Sequence, residues 1–343
     1  MRQLITLLLG VMIISVSGTA SGQQLYLSNY VVSQGSDVVG EVLSSEGKLN
    51  SVTLEGKDGA LFSVGKDHVL RVRGSKLKSK LDRFEIVVKA STSGGERSGT
   101  FIIVKDEFIH NRVVAHRGAW KNTNVPENSI AAFKHAARLG CEGSEFDVHM
   151  SSDSIPVVNH DNSIQGISIA RTPAAELLKI KLSNGEPMPT LESYLKAGME
   201  QRQTKLILEI KSSELGKESS LALTRKVVAM VEALHAQAWV DYIAFDFDVC
   251  REVMRVAPYA KVAYLNGDKS PAELASDNFF GLDYHFSVIQ KKPDWIKAAH
   301  ALKLTVNVWT VNDAALMKDL LNQNVEFITT NEPETLLGLV GKK

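Results

Sequence analysis

Hydrophobic and polar residues follow two different rhythms along the chain. Between Leu25 and about Phe108, apolar and polar residues largely alternate in the runs Ser51–Glu55, Val69–Arg73, Phe84–Lys89 and Thr100–Val104, which Gly, Ser, Asn and Asp clusters separate. Alternation with period two buries one face of a strand, and several short strands at this spacing predict a small antiparallel β-sandwich. From Arg112 onward the strand candidates are short apolar runs with helical patterns between most of them: Arg112–Gly118, Ser144–Val148, Pro156–His160, Lys205–Lys211, Tyr242–Phe245, Lys261–Leu265, Gly281–Tyr284, Thr305–Val311 and Phe327–Thr330. Buried β-branched strands alternating with helices predict parallel βα units, and about eight such units match a (β/α)8 TIM barrel. The competing α/β reading, a doubly wound open sheet, lacks a glycine-rich dinucleotide loop after its first strand.

The N-terminus follows neither rhythm. Met1 and Arg2 precede an apolar run from Leu4 to Val16 and small residues from Ser17 to Gly22. This is the pattern of a secretory signal peptide, and the run falls short of the about 20 residues of a membrane span. The organisation expected is a signal peptide over 1–22, a β-sandwich over 23–108 and the barrel over 109–343, with cleavage after Ala20 or Gly22. The protein is then exported to the periplasm or outside the cell, with no transmembrane segment in its mature form. An uncleaved anchor is the other reading.

Composition narrows the classes of partner. The 343 residues carry 39 basic and 39 acidic side chains, a net charge of zero, which gives no basis for bulk binding of nucleic acid. Selectivity for an anionic substrate must come from local charges. The two cysteines, Cys141 and Cys250, fall near opposite faces of the predicted barrel and are expected to stay unbonded. Oligomeric state is open.

A barrel gathers function at the C-terminal ends of its strands. His116, Arg117 and Gly118 end the first predicted strand; Glu145 and Asp147 lie late in the second; Glu209 and Lys211 end the third; Trp309 and Asn312 end the seventh. Residues two apart on a strand share a face, so Glu145 and Asp147 repel each other unless a cation lies between them. Either a divalent ion or a basic neighbour resolves that conflict, and carboxylate oxygens suit Ca2+ or Mg2+. Glu209 is a third candidate ligand. His116 and His160 are candidate acid and base, because imidazole titrates near neutrality; His160 is alternatively a metal ligand. Arg117 and Lys211 either grip a phosphate or neutralise neighbouring carboxylates. Phe245 and Trp309 either wall a substrate pocket or pack in the core. Gly118 fits a tight turn, Asn128 or Ser129 caps the following helix, and Glu127 has no clear independent role.

These residues fall in a familiar order. His116–Gly118, Pro126–Ser129, Ala132–Phe133, Glu145–Val148, Pro156–Asp161, Pro189–Glu192, Leu208–Lys211, Trp309–Asn312 and Thr329–Pro333 together resemble the glycerophosphodiester phosphodiesterase family over roughly the last two thirds of the chain. The stretch from Val38 to Ala90 more loosely resembles a cadherin-like repeat. The first resemblance implies hydrolysis of a small-molecule glycerophosphodiester to sn-glycerol 3-phosphate and an alcohol. It implies one divalent cation, Ca2+ or Mg2+, on Glu145, Asp147 and Glu209, with His116 and His160 as general acid and base and Arg117 and Lys211 on the phosphate. Two departures stand out: Asn162–Gly166 replaces a Thr-Leu-Arg-Thr-Thr type continuation, and Asn331 stands where the family's late motif has Asp. They leave the proposed metal and proton-transfer groups intact and bear on the head group, not on the chemistry. The alternatives are a lysophospholipase D-like enzyme acting on larger lipid phosphodiesters, or a non-catalytic adhesion or glycan-binding protein.

Overall fold

The computed structural model describes residues 25–33, 35–45, 47–74 and 81–341, so the predicted signal peptide lies outside the described residues. Eight strands come first: β1 (Leu25–Leu27), β2 (Val31–Val32), β3 (Val38–Ser44), β4 (Leu49–Glu55), β5 (Phe62–Val64), β6 (Val69–Val72), β7 (Arg83–Thr92) and β8 (Gly95–Lys105). They form two four-stranded sheets, ordered β1-β3-β6-β5 and β2-β8-β7-β4. The alternation read from sequence appears directly in β7, where Phe84, Ile86, Val88 and Ala90 are buried and the residues between them are more exposed. Phe62 and Phe84 join the two sheets edge to face, with ring centroids 5.6 Å apart. The expected antiparallel pairing fails at one edge, because the two-residue β2 runs parallel to the end of β8.

The strands that follow are β9 (Val113–Ala115), β10 (Gly143–Met150), β11 (Pro156–Val158), β12 (Ser163–Ile164), β13 (Ile167–Ser168), β14 (Lys205–Ile210), β15 (Val240–Ala244), β16 (Val262–Tyr264), β17 (Gly281–His285), β18 (Thr305–Trp309) and β19 (Phe327–Thr330). Eight of them close a parallel barrel in the order β9-β10-β14-β15-β16-β17-β18-β19, with β19 pairing back onto β9. The remaining three are short: β11 pairs antiparallel with the end of β10, and β12 and β13 form a separate hairpin. In the strands, positions facing the helices, such as Leu206, Leu208, Val306 and Ile328, are fully buried.

The first helix shows how locally these elements are set. Ser129 accepts a hydrogen bond from the Ala132 amide at 3.0 Å to cap the helix Ile130–Leu139, and Gly140, at φ 82°, closes it. The N-terminal strands pack on the barrel: the Tyr30 and Tyr259 rings lie 5.2 Å apart edge to face, and the Arg83 guanidinium sits 4.7 Å from the centre of the Trp239 ring. Cys141 and Cys250 are both free and buried. Among the described residues, no helix is long and apolar enough to cross a membrane.

Candidate active site

Strand alternation delivers the functional side chains to one end of the barrel. Glu145 and Asp147 lie on the inward face of β10, and parallel register places Asp147 beside Glu209 of β14. Oxygens of Glu145, Asp147 and Glu209 all lie within 4.8 Å of one another, and all three residues are buried. His116, Arg117, His160, Lys211, Phe245 and Trp309 line the same cavity of about 430 Å³, counting its mouth. Every residue predicted for the site is therefore in or beside it.

The main chain builds part of this geometry. Arg117 and Gly118 both adopt left-handed backbone, φ 56° and 81°. That turn aims the Arg117 amide at Glu145 Oε2, 2.8 Å away. Gly118 is needed for space as well as for φ, because a Cβ there would lie 2.7 Å from Ala132. Replacing Gly118 with Ala is expected to destabilise the fold by about 1–3 kcal/mol and to lower activity, as measured by urea melts and initial rates. A variant that melts and turns over like the parent would remove this role.

Side-chain contacts that the sequence does not reveal complete the support. Asn128, itself left-handed at φ 58°, donates to Asp147 Oδ2 at 2.8 Å and accepts from the Asp147 amide at 3.0 Å. Glu127 accepts from Arg117 Nη1 at 2.9 Å and so orients that guanidinium, whose Nε lies 3.7 Å from Asp147. Lys211 contacts Glu209 at 2.8 Å and Asp147 at 3.3 Å. His116 is held at both ends: its Nδ1 lies 2.8 Å from Asn331 Oδ1, and its Nε2 lies 3.9 Å from Glu145. Asn331 is placed in turn by its amide donating to Asn312 Oδ1 at 2.9 Å. His160 Nδ1 lies 2.7 Å from Asp161. Trp309 Nε1 donates to the Asp283 carbonyl at 2.9 Å, and its ring meets Phe245 edge to face at 5.5 Å.

Crowded carboxylates in a dry site resist ionisation. Burial, reinforced by Asp147 and Glu209, raises Glu145 well above the carboxylate range. Burial and then Asp147 push Glu209 up to about 7. Asp147 goes the other way, since Lys211, His160, Asn128 and Arg117 together outweigh its burial. Glu145 Oε1 is buried without a hydrogen-bond partner. Three converging carboxylates, two held up by burial and mutual repulsion and one with an unpaired oxygen, fit a hard divalent cation. Burial, and next the Arg117 charge, push His116 down to about 4, so its imidazole is neutral at pH 7.

Asp283 was missed by sequence reasoning. It is 2 % exposed, borders the site, and keeps Oδ1 unpartnered. Burial raises it to about 8 from 3.8, so the folded protein holds a proton that the unfolded chain releases. That contribution to stability falls as pH rises from about 4 to 8 and levels off above. Replacing Asp283 with Asn is therefore expected to gain little at pH 4 and on the order of a few kcal/mol at pH 8.5. Urea melts of the metal-free protein at the two pH values measure it; an equal gain at both would show that Asp283 ionises normally.

Comparison with known proteins identifies the family and its fold. The model described as "Glycerophosphoryl diester phosphodiesterase family" matches residues 116–335, a span holding every residue of the site. The chain belongs to the glycerophosphoryl diester phosphodiesterase family. A glycerophosphodiester phosphodiesterase from Caldanaerobacter subterraneus is 29 % identical over 246 residues, covering 67 % of this chain and 98 % of the relative. The crystal structure of a glycerophosphodiester phosphodiesterase from Parabacteroides distasonis is 43 % identical, with a TM-score of 0.65, covering 69 % of this chain and 98 % of that one. A phosphodiesterase of the same fold from Oleispira antarctica, solved with its product sn-glycerol-3-phosphate, is 25 % identical with a TM-score of 0.56, covering 67 % and 96 %. As a glycerophosphodiester phosphodiesterase, this protein carries its family span on the closed barrel, and the β1–β8 strands precede that span.

Proposed function

We propose that the barrel hydrolyses small glycerophosphodiesters to sn-glycerol 3-phosphate and an alcohol, with one divalent cation, Ca2+ or Mg2+, held by Glu145, Asp147 and Glu209. The single observation that carries the reading is the convergence of these three buried carboxylates beneath His116, Arg117 and Lys211. When bound, the cation supplies charge to offset the oxygens of the phosphoryl group as phosphorus becomes five-coordinate.

This chain's own groups do the rest. Arg117 and Lys211 bind and orient the phosphate. His116 serves as base: with its Nδ1–H directed at Asn331, Nε2 keeps a lone pair facing the site and takes the proton of the attacking oxygen, either water, which gives glycerol 3-phosphate directly, or the glycerol hydroxyl beside the phosphate, whose cyclic phosphate product water then opens. His160, on the rim, gives a proton to the departing alkoxide as the P–O bond breaks. Phe245 and Trp309 exclude water on the leaving-group side. Release of glycerol 3-phosphate from glycerophosphocholine, with and without chelator, tests the reading. A purified protein that cleaves no glycerophosphodiester of any head group in the presence of Ca2+ or Mg2+ overturns it.

The signal-peptide pattern supports export to the periplasm or beyond as part of this reading. Fractionation of cells expressing the full chain tests it, with cytosolic, uncleaved protein as the opposing result. The strands of 23–108 are proposed to be a domain separate from the barrel over 109–343, and limited proteolysis between the two tests that division.

A further inference from the structure

The lower half of the barrel is not packed shut. Ile207, Ala263, Thr305 and Phe327 face inward and keep partial access to solvent, whereas the outward-facing Leu206, Val262, Val306 and Ile328 are fully buried. A filled barrel has layers of interlocking side chains inside. Here Ala263 contributes almost no side chain, and about 800 Å³ of space remains, counting its mouth. The cavity opens at the N-terminal ends of the strands, opposite the candidate active site, and only Ile243 and Asp283 border both.

The mouth runs into a cleft between the barrel and the N-terminal strands. Phe108, His110, Lys205, Asp241 and Lys261 border both spaces, and Asn29 and Tyr30 face them across the cleft. Gln237 also lines the cleft. It is 7 % exposed, and neither its amide nitrogen nor its amide oxygen has a hydrogen-bond partner among the described residues. Buried amides ordinarily find partners, so this one lacks both an acceptor and a donor. A hydroxyl supplies both. Two lysines and two acids, Asp241 and Glu142, share the mouth, so the head need not be charged, while Val114, Ile207, Ala263 and Phe327 give the floor apolar walls below the polar Asp283 and Asn307.

We propose that cleft and barrel floor form a second ligand site, for a single-chain lipid with a hydroxylated head. The head bonds the Gln237 amide in the cleft, and the acyl chain enters the barrel past Lys205 and Lys261. The N-terminal strands thereby gain a function as one wall of that site. This inference stands apart from the active-site chemistry.

Calorimetric titration of the full chain with 1-monolauroylglycerol, below its aggregation concentration, tests it. One equivalent is expected to bind the parent and the Glu145→Gln variant, uncompeted by glycerol 3-phosphate. Binding is expected to weaken at least about tenfold in Ala263→Leu, which fills the floor, and in Gln237→Leu, which removes the amide. Should Ala263→Leu not fold, Gln237→Leu carries the test alone, its fold checked by circular dichroism. Absence of saturable binding to the parent, competition by glycerol 3-phosphate, or equal affinity in folded Gln237→Leu overturns the proposal.

Discussion

Glu145→Gln is expected to lose at least about a thousandfold in release of glycerol 3-phosphate, and chelation of the parent enzyme to lose as much. A bound cation contributes several kcal/mol at the transition state, and each 1.36 kcal/mol is about tenfold in rate. The substitution preserves size and removes one carboxyl group from three that crowd within 4.8 Å. Stability should therefore move opposite to activity: in metal-free buffer the variant should melt at or above the parent's temperature, because a buried carboxylate raised by its neighbours has become a neutral amide. Initial rates with added Ca2+ or Mg2+, paired with thermal melts in chelator, read both signs. Full activity in the variant, or undiminished turnover in chelator, would remove the cation from the reaction.

The second large effect separates the histidines. His116→Ala and His160→Ala are each expected to lower kcat by about 10²–10⁴. A substrate with a nitrophenolate leaving group needs little help from an acid. It should restore most of the loss in His160→Ala and little in His116→Ala, whose imidazole is held neutral and anchored on Asn331. Rescue of His116→Ala instead would exchange the two roles. Equal loss with both substrates in both variants would mean that the histidines only shape the site.

The barrel and the acidic cluster were legible because their causes are local. Apolar runs of fixed length make strands, and two residues of separation put Glu145 and Asp147 on one face. The same parity places Lys211 with Glu209. What stayed hidden depends on contacts between distant parts of the chain. Asn331 lies 215 positions from the histidine it holds, and its replacement of Asp in a recognisable motif reads from sequence as bearing on the head group, whereas the structure sets it against His116. Asn128 and Ser129 both read as candidate helix caps; Ser129 takes that position and leaves Asn128 to brace Asp147. Glu127 acquires a function only once Arg117 turns left-handed toward it. Asp283 sits in an ordinary strand pattern, and its raised proton affinity follows from burial that pattern alone does not report. The open barrel floor is still less visible, since it is made by side chains too small to fill it.

The Arg117 amide that grips Glu145 implies how the enzyme meets its ion. A carboxylate positioned by the backbone turn of a closed barrel does not wait for metal to be set in place. Loading should thus resemble filling a finished socket more than completing a fold. Added cation would raise the melting temperature only as mass action dictates, growing with the logarithm of its concentration above Kd. The enzyme could then follow the ionic composition of its surroundings, gaining and losing its ion many times without unfolding.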